Sequence, residues 1–579
     1  RAARARTAAV IPLQTSTYDK APYVPVGSAD EVVVGAPAIA EALSGARVVV
    51  IEAYPGVRTA DLVRVAGDGL VVDVSTAYLA PAALDELVAE DLTDDPLFGR
   101  LTSFAIGDFF DPAALSDLQT SIAACTGRVV VVGTGASLVC QGDVLVYADL
   151  ARWEIQHRQR AGELGNLGAD NAGERPSLLY KRGFFLDWRA ADRLKASLLP
   201  SVDRFLDTTV GSRPLLVGGE AVRRGLAAAA SQPFRVVPFF DPAPWGGQWM
   251  RSVCDLPPSP EGNYGWCFDC VPEENSLLLG FGDERVELPA LDLVLSQPIS
   301  LLGPRVVERF GVEFPIRFDF LDTMGGGNLS LQVHPLPSHI REEFGWGYTQ
   351  DESYYLLDAA PDATVYLGLR DDVDPVSFVA DLEAAQDGGP PFPASRHVHV
   401  RPAAKHDHFL IPAGTVHCSG AGSMVLEISA TPYIFTFKLW DWGRLGLDGR
   451  PRPINVERGR RSIQWDMRAT RVERELVNVV TPLGSGDGWR SERTGLHPAE
   501  PIETHRHWFT GTVPLETFGS VNVLNLVEGA EAVVESPTGA FAPFVVHYAE
   551  TFIVPAAVGS YTVRAVGDAC AVVQAFVRP

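Results

Sequence analysis

The chain has few cysteines, no long uncharged apolar run and a shortage of basic residues. Seven Cys in 579 residues are too few, and odd in number, for a disulfide framework, so a reducing, cytoplasmic location is expected. No 18-residue apolar run is free of charge, so no transmembrane helix is expected. The 48 basic residues are outnumbered by 72 acidic ones, giving a formal net charge of −24, which argues against a nucleic-acid partner.

The composition is otherwise that of a folded protein, with 46% apolar and 21% charged residues. At about 150 residues per domain, the length predicts three or four domains. The patterning predicts a multidomain chain with the following division: a tail or edge extension over 1–27, an α/β domain over 28–230, and two β-rich domains over 231–450 and 451–579.

The α/β prediction rests on short apolar runs that alternate with helical spacing. Buried strands are predicted at 46–54, 69–75, 128–133, 143–149 and 213–219. Amphipathic stretches such as 81–92 and 112–125 lie between them. Buried apolar strands that alternate with helices predict a mostly parallel sheet covered by helices.

Beyond residue 232 the sequence becomes a succession of short β-type runs. A first set occupies 363–369, 397–402, 408–414, 423–429 and 433–440, and a second set occupies 507–515, 521–529, 551–556 and 560–566. Each set contains a hydrophobic strand that ends in Pro-Ala. The pattern predicts two related all-β barrels in tandem, of which only the first is rich in metal-ligand residue types.

Residues suited to a metal ion are concentrated in the first β region, where seven of the chain's 12 His lie between 334 and 417. Gln332 and His334 are two apart on a predicted strand and so share a face. Glu352 opens an apolar run, and His417 follows a Pro-x-Gly turn. One His on a strand is usually structural, but imidazole, carboxylate and amide donors together suit a divalent Zn, Fe or Mn ion. The residues therefore predict a metal site.

The same segments resemble the metal-binding cupin of class I mannose-6-phosphate isomerases. The motifs LSLQVHP (329–335), ESYYLLD (352–358), IPAGTVH (411–417) and VLEIS (425–429) follow the family's order, and the likeness extends over 232–579 through FFDPAPWGGQWM, GNYGWCFDC, KLWDWGR and ETFIVPAAVGSYTV. The resemblance implies an all-β double cupin of two jelly-roll barrels. It also implies one Zn²⁺ ion held by Gln332, His334, Glu352 and His417.

The resemblance further implies aldose–ketose isomerisation through an enediol, with three candidate catalytic residues. Glu427 matches a family Glu near the metal, although a buried acid paired with a lysine or a backbone donor is an equal alternative. Lys438 stands where the family has an Arg. Arg444 is the candidate for compensating positive charge, with Arg450 and Arg452 as alternatives, although an Arg in a linker is usually solvated. Gln350 stands where many members have Lys. Lys lacks the bidentate fork of Arg, so recognition of a phosphate and transfer of the proton are both altered from the family pattern.

The α/β domain has a faint likeness to a P-loop, in which a glycine-rich turn and a Lys cradle phosphates. The segment 48–66 reads as a strand, a loop and a helix, but Glu52 and Val57 replace the glycines and Arg58 replaces the Lys, so that only Thr59 fits. The domain is interpreted as a degenerate kinase-like fold or an unassigned α/β domain, with a structural or oligomerising role favoured over phosphotransfer.

Two functions remain open for the whole chain. The first is a zinc-dependent isomerase of the mannose-6-phosphate isomerase type, acting on a sugar or sugar phosphate. The alternative is a non-catalytic sugar-binding or regulatory cupin fused to a degenerate kinase-like domain. Both predict a small-molecule sugar partner, with neither nucleic acid nor membrane, and leave the oligomeric state open. A cupin dioxygenase is disfavoured because it uses iron and typically more His ligands.

Overall fold

The computed structural model describes residues 16–430, 434–445, 452, 454–495 and 497–579. The predicted boundary between 450 and 451, and most of the predicted tail, lie outside these ranges. In the described ranges no helix is long and apolar enough to cross a membrane. All seven cysteines are free thiols.

The N-terminal α/β domain is built on a seven-stranded sheet. In spatial order its strands are Val32–Val34, Leu215–Gly218, Arg204–Asp207, Val144–Asp149, Val48–Ala53, Val129–Gly133 and Leu70–Asp73. The five strands from Arg204–Asp207 onward pair in parallel, and the first two pair antiparallel. Valine-rich strands such as Val48–Ala53 are buried along their whole length, as parallel strands covered on both faces must be. The mostly parallel sheet is thus present as predicted.

Helices cover the two faces of this sheet. They are Ala36–Ala42, Thr59–Ala66, Pro81–Leu92, Pro112–Ala124, Ala136–Val139, Arg152–Arg160, Pro176–Arg182, Trp188–Leu198 and Gly219–Ala229. A π-helical turn at Gly183–Asp187 joins two of them, and short 3₁₀ turns lie at Ala29–Glu31, Val74–Ala77 and Ile106–Phe109.

Residues 23–27 form a strand rather than a free tail. Tyr23–Gly27 pairs in parallel with Ser276–Phe281, which in turn pairs antiparallel with Glu284–Pro289. The strand packs against the helix Gly219–Ala229, where Gly225 lies against the side chains of Val26 and Leu279. The segment is therefore an edge extension that ties the beginning of the chain to its β-rich part.

The first β region contains two antiparallel sheets. The six-stranded sheet has the order His408–Ile411, Glu352–Ala359, Ser423–Ala430, Ile316–Asp322, Trp266–Cys270 and Phe239–Asp241, and the five-stranded sheet has the order Val398–Pro402, Thr364–Leu369, His417–Ser419, Leu331–Val333 and Phe437–Trp440. Side chains from both sheets meet between them, as in a barrel or sandwich.

The second β region repeats this plan. Its six-stranded sheet has the order Thr481–Gly486, Trp489–Gly495, Ile502–Phe509, Cys570–Val577, Asn522–Glu528 and Thr551–Val554, and its four-stranded sheet has the order Thr512–Glu516, Ser560–Ala565, Glu531–Glu535 and Phe544–His547. Apolar residues of both sheets, among them Leu524 and Val563, share one core. A 3₁₀ turn lies at Ala556–Val558.

The prediction of an all-β region is too narrow, because helices occur between the strands. They are Trp249–Val253, Leu291–Ser296, Pro298–Leu302, Pro304–Phe310, Pro337–Phe344, Pro375–Gln386, Ala394–His397, Val456–Ser462 and Ala469–Glu475. Several begin with Pro, which is well placed in the first helical turn, where its missing N–H has no partner to lose. Their apolar residues recur at helical spacing and pack on the barrels.

The α/β domain and the first barrel share one hydrophobic core. Phe98 packs against Phe435 and Phe437 of the barrel, with ring centroids 6.0 and 5.3 Å apart. Lys195 lies between Asp149 of the sheet and Asp292 of the β-rich part, 2.8 and 3.0 Å away. These contacts hold the α/β domain against the first barrel.

Candidate metal centre

The four predicted ligands come from the two facing sheets of the first barrel. Gln332 lies on Leu331–Val333, in register with His417 on the neighbouring strand. His334 follows that strand directly. Glu352 begins a strand of the opposite sheet, so the carboxylate and the imidazoles approach each other across the barrel.

The side chains meet in a buried cluster. The carboxylate of Glu352 lies 3.0 Å from Nε2 of His334 and 2.8 Å from Nε2 of His417. The side-chain amide nitrogen of Gln332 is 3.1 Å from Nε2 of His417. Each of the three residues His334, Glu352 and His417 is at most 1% exposed. Their ligand atoms all lie within 4.8 Å of one another, a spacing that one metal ion can bridge.

The hydrogen bonds of the two imidazoles leave their Nε2 atoms as lone-pair donors. Nδ1 of His417 lies 2.8 Å from the carbonyl oxygen of Thr415, and Nδ1 of His334 lies 3.3 Å from that of Phe435. A carbonyl oxygen only accepts, so both Nδ1 atoms carry the proton. Both Nε2 lone pairs then point at the Glu352 carboxylate, an arrangement of acceptors that needs a cation between them. The residues therefore fit a divalent metal ion.

The amide of Gln332 fits the same ion after rotation. Ser330 donates to its side-chain oxygen at 3.1 Å, and the nitrogen faces the cluster. Amide oxygen and nitrogen exchange places by a half-turn about the last torsion angle, which would direct the oxygen, a suitable ligand, toward the ion.

Glu352 is the charged member of the cluster. Burial disfavours its ionised form, but positive charge at His334 and His417, which those imidazoles carry only when protonated, overcomes that effect and holds its pKa well below its usual range. The side-chain amide of Gln350 donates to it at 2.9 Å. Gln350 thus contacts a candidate ligand directly.

A second pair of carboxyl groups lies on the adjacent strands. Glu427 and Asp319 are cross-strand partners. Burial raises the pKa of Glu427 well above its ordinary range, and the charges of Glu352 and Asp319 raise it further. Burial likewise raises the pKa of Asp319 to about 8. Gln350 donates to Glu427 at 3.4 Å, so a hydrogen-bonded path joins Glu427 to the ligand cluster.

Lys438 stands beside the cluster on the same face. It is in register with Gln332 on the neighbouring strand, and cross-strand partners point to one side of a sheet. Burial and, to a smaller extent, the nearby Arg452 lower the pKa of Lys438 to about 8. In the described ranges Lys438 forms no ion pair. Its ammonium group is therefore available to an anion at the edge of the cluster.

The structure does not bring Arg444 into the ligand cluster. Arg444 forms an ion pair with Asp441 at 2.6 Å and donates to the backbone carbonyl of Asn328. Arg452 binds the same carboxylate at 3.0 Å. Two guanidinium groups thus share one Asp near Lys438, which leaves this corner of the barrel with excess positive charge.

Sequence reasoning missed Asp319 and Tyr354. The Tyr354 ring is completely buried and meets the His417 ring edge-on, with the centroids 5.8 Å apart. The signal for Asp319 was present in the sequence, because Arg317 and Asp319 alternate with apolar residues on a buried strand. Polar residues that alternate in this way indicate a barrel wall lined with functional groups.

His334, Glu352 and His417 form the one such metal-compatible cluster within the residues that the structure describes. In the α/β domain the loop that faintly resembles a P-loop borders a cavity of about 190 Å³, but its charged side chains are paired within the chain. The Glu52 carboxylate accepts hydrogen bonds from the backbone of Gly135 and Ser137 at 2.6 and 2.8 Å. Arg58 is paired with Asp61 and Glu163. The kinase-like interpretation stays a prediction.

Known proteins resemble separate parts of the chain. A family model described as a domain of unknown function (DUF8485) matches residues 35–231. Probable mannose-6-phosphate isomerase GmuF of Bacillus subtilis is 27% identical over 148 residues, which are 26% of this chain and 44% of that protein. The chain thus spans less than half the length of this relative.

Two further relatives are matched over longer stretches. Mannose-6-phosphate isomerase ManA of Bacillus subtilis is 24% identical over 233 residues, covering 39% of this chain and 67% of that protein. Mannose-6-phosphate isomerase of Streptococcus mutans is 26% identical over 292 residues, covering 49% and 81%. Among solved structures, the mannose 6-phosphate isomerase from Bacillus subtilis has a TM-score of 0.47 at 17% identity, covering 60% of this chain and 99% of that one. The chain is thus similar, at low identity, to mannose-6-phosphate isomerases.

Proposed function

We propose that the chain is a zinc-dependent aldose–ketose isomerase that acts on a sugar phosphate. The observation that supports this most strongly is the buried His334–Glu352–His417 cluster, in which two imidazole lone pairs face one carboxylate. The similarity to mannose-6-phosphate isomerases supplies the reaction class.

Gln332, His334, Glu352 and His417 would hold the ion. Nitrogen and oxygen donors in this number suit zinc. When bound, a divalent ion polarises a carbonyl group and stabilises the negative charge that develops on its oxygen. The surrounding strands exclude water from the cluster, which strengthens every electrostatic interaction inside it.

The chain's own carboxyl groups would handle the proton. Isomerisation moves a proton between two adjacent carbon atoms and needs a group that can hold it between the two steps. The raised pKa values of Glu427 and Asp319 keep at least one proton on this pair at neutral pH. Gln350 links Glu427 to Glu352 through its side-chain amide. We assign proton storage to the Glu427–Asp319 pair.

Positive charge beside the cluster supports a phosphorylated substrate. Lys438, Arg444 and Arg452 lie together with Asp441 as the acid that pairs with both arginines. Three cations and one carboxylate leave a net positive corner, to which a phosphate group is complementary. In this proposal Lys438 stabilises the developing negative charge as a point charge, and Arg444 acts by positioning Asp441.

A non-catalytic sugar-binding protein is the second candidate. The observation that favours it is the pair of departures at Gln350 and Lys438, since Gln350 cannot carry a proton or a charge. Both candidates predict sugar binding, and they differ only in turnover.

Turnover before and after removal of the metal separates the two. The purified full chain would be treated with a chelator, reloaded with zinc and assayed for interconversion of mannose 6-phosphate and fructose 6-phosphate. An isomerase loses activity on chelation and regains it with zinc. Binding of the sugar phosphates by calorimetry without turnover in the reloaded protein would instead support the sugar-binding candidate.

A further inference from the structure

A cavity of about 360 Å³ lies between the α/β domain and the first barrel. Ile434, Thr436 and Lys438 line it from the barrel, and residues on two helices of the α/β domain line it from the other side. This volume is typical of sites that hold small molecules. Its walls come from parts of the chain that are far apart in sequence.

On the barrel side the cavity reaches a strand that neighbours one of the candidate ligands. Thr436 and Lys438 are two residues apart and so point to the same side of their extended segment. Lys438 is the cross-strand partner of Gln332, one of the four candidate ligands. A molecule bound in the cavity therefore lies against the same sheet face that carries the ligands.

On the opposite side the helix Arg152–Arg160 presents three polar side chains. Gln156, Gln159 and Arg160 line the cavity, at positions that share one helix face. Two of them are held by internal partners: Gln156 donates to Glu274 at 2.7 Å, and Arg160 binds both oxygens of Asp241 at 2.7 and 2.8 Å.

Gln159 differs from these neighbours because its side chain has no partner. The residue is only 4% exposed, yet its amide makes no hydrogen bond to any residue that the structure describes. It borders both this cavity and a smaller one of about 190 Å³ inside the α/β domain. An amide that borders a cavity and has no partner within the chain is satisfied by whatever fills the cavity, and a ligand that carries both donors and acceptors can replace water there.

We propose that the α/β domain supplies one wall of the sugar-binding cavity, with Gln159 as a binding residue for a substrate hydroxyl group. An amide offers one acceptor and two donors, which match the paired donor and acceptor of a sugar hydroxyl. This inference rests on the proposed function, because it places the reacting end of the sugar at the metal centre. It gives the α/β domain a share in substrate recognition.

Substitution of Gln159 tests the contact. Gln159→Leu keeps the approximate size and removes the amide, whereas Gln119→Leu changes an exposed glutamine on the helix Pro112–Ala124 of the same domain. In the zinc-loaded full chain, Gln159→Leu is expected to raise KM for mannose 6-phosphate about tenfold. Its kcat should stay within about twofold, and its zinc content and the kinetics of Gln119→Leu should not change. An unchanged KM in Gln159→Leu overturns the inference.

Amide hydrogen exchange with mannose 6-phosphate supplies a readout that does not need turnover. The ligand should protect Arg152–Arg160 as well as the barrel strands, and less so in Gln159→Leu. Protection of the helix without isomerisation would sustain this inference and reject the proposed function. Isomerisation without helix protection would reject this inference and sustain the function. Neither protection nor turnover would reject both.

Discussion

At the scale of single residues, the geometry of one carboxylate and two imidazoles dictates the chemistry. His334 and His417 use their Nδ1 protons on backbone carbonyls, so neither can donate an Nε2 proton to Glu352 while it stays neutral. The negative charge of Glu352 and the facing lone pairs can be compensated either by protonation of the imidazoles or by a bound metal ion. Metal binding explains the cluster better than protonation does, because the Gln332 amide, a further possible ligand, also lies beside Nε2 of His417.

Removal of one imidazole should therefore remove the metal. His417→Ala is expected to lose most of its zinc, because one ligand is gone and the remaining donors are no longer convergent. Metal analysis of the purified protein checks this. His399→Ala is the control, since His399 pairs with Glu473 outside the cluster and its loss should leave the zinc content intact. Equal zinc in both variants would show that His417 is not a ligand.

Lys438 should act on catalysis and not on metal binding. Lys438→Ala is expected to lower kcat by roughly 100-fold, the scale of losing one group that stabilises transition-state charge, with unchanged zinc. Lys405→Ala, which removes a half-exposed lysine paired with Glu528, is the control. Lys438→Arg shows whether the bidentate guanidinium group of an arginine improves activity on mannose 6-phosphate. If none of the Lys438 variants alters turnover, Lys438 has no catalytic role.

At the scale of strands and helices, local sequence patterns carry much of the information. The valine-rich runs predicted at 46–54, 128–133 and 143–149 correspond to Val48–Ala53, Val129–Gly133 and Val144–Asp149, because continuous β-branched residues suit strands buried on both faces. The pairing of Tyr23–Gly27 with Ser276–Phe281 has no local signal, since its partner is remote in sequence.

The candidate site shows the same limit. The four candidate ligands stand in recognisable sequence motifs, but the contact of Gln350 with both Glu352 and Glu427 depends on how three strands align. The cavity facing Gln159 depends on how the α/β domain docks. Neither contact can be predicted from residue spacing, because each depends on packing between segments that are distant in sequence.

The second barrel contains a histidine that predicts a dependence of stability on pH. His507 lies on the strand Ile502–Phe509, 2.7 Å from the Ser491 hydroxyl and 3.0 Å from the Gln574 side-chain oxygen. Burial lowers the pKa of His507 to about 4. The imidazole of His507 binds a proton more tightly in the unfolded chain than in the folded one. Its contribution to the free energy of unfolding is therefore complete above pH 6.5 and is lost as the pH falls toward 4.

The expected size is about 2 kcal/mol between pH 7 and pH 4.5. Urea unfolding of the full chain at both values should show that His507→Gln loses less stability on acidification than the unsubstituted protein, by about this amount. His399→Gln, the same substitution at a partly exposed position, is the matched control. An identical loss in His507→Gln would mean that His507 does not titrate differently on folding.

At the scale of the whole molecule, the α/β domain and the first barrel are joined by a buried ion cluster. Lys195, Asp149 and Asp292 are each at most 2% exposed, and the lysine bridges the two parts. Buried charges of this kind are costly once a partner is removed. The cluster therefore couples the stability of the α/β domain to that of the barrel.

Lys195→Met should destabilise the protein by about 3–5 kcal/mol, because two buried carboxyl groups lose their cation. Differential scanning calorimetry would record this as a lower and less cooperative transition. Lys20→Met, which removes an exposed pair with Asp255, should change the stability by less than about 1 kcal/mol. Similar transitions for the two variants would contradict a coupling role for Lys195.

The central claim is that a metal held by this cluster supports proton transfer on a sugar phosphate. NMR in D₂O follows it directly, since the protein carboxyl groups carry deuterium after equilibration in D₂O and can deliver it to the substrate carbon. Zinc-loaded protein should introduce deuterium at C2 of mannose 6-phosphate while fructose 6-phosphate appears, and His417→Ala should do neither. Absence of both exchange and product with the zinc-loaded protein would contradict the account.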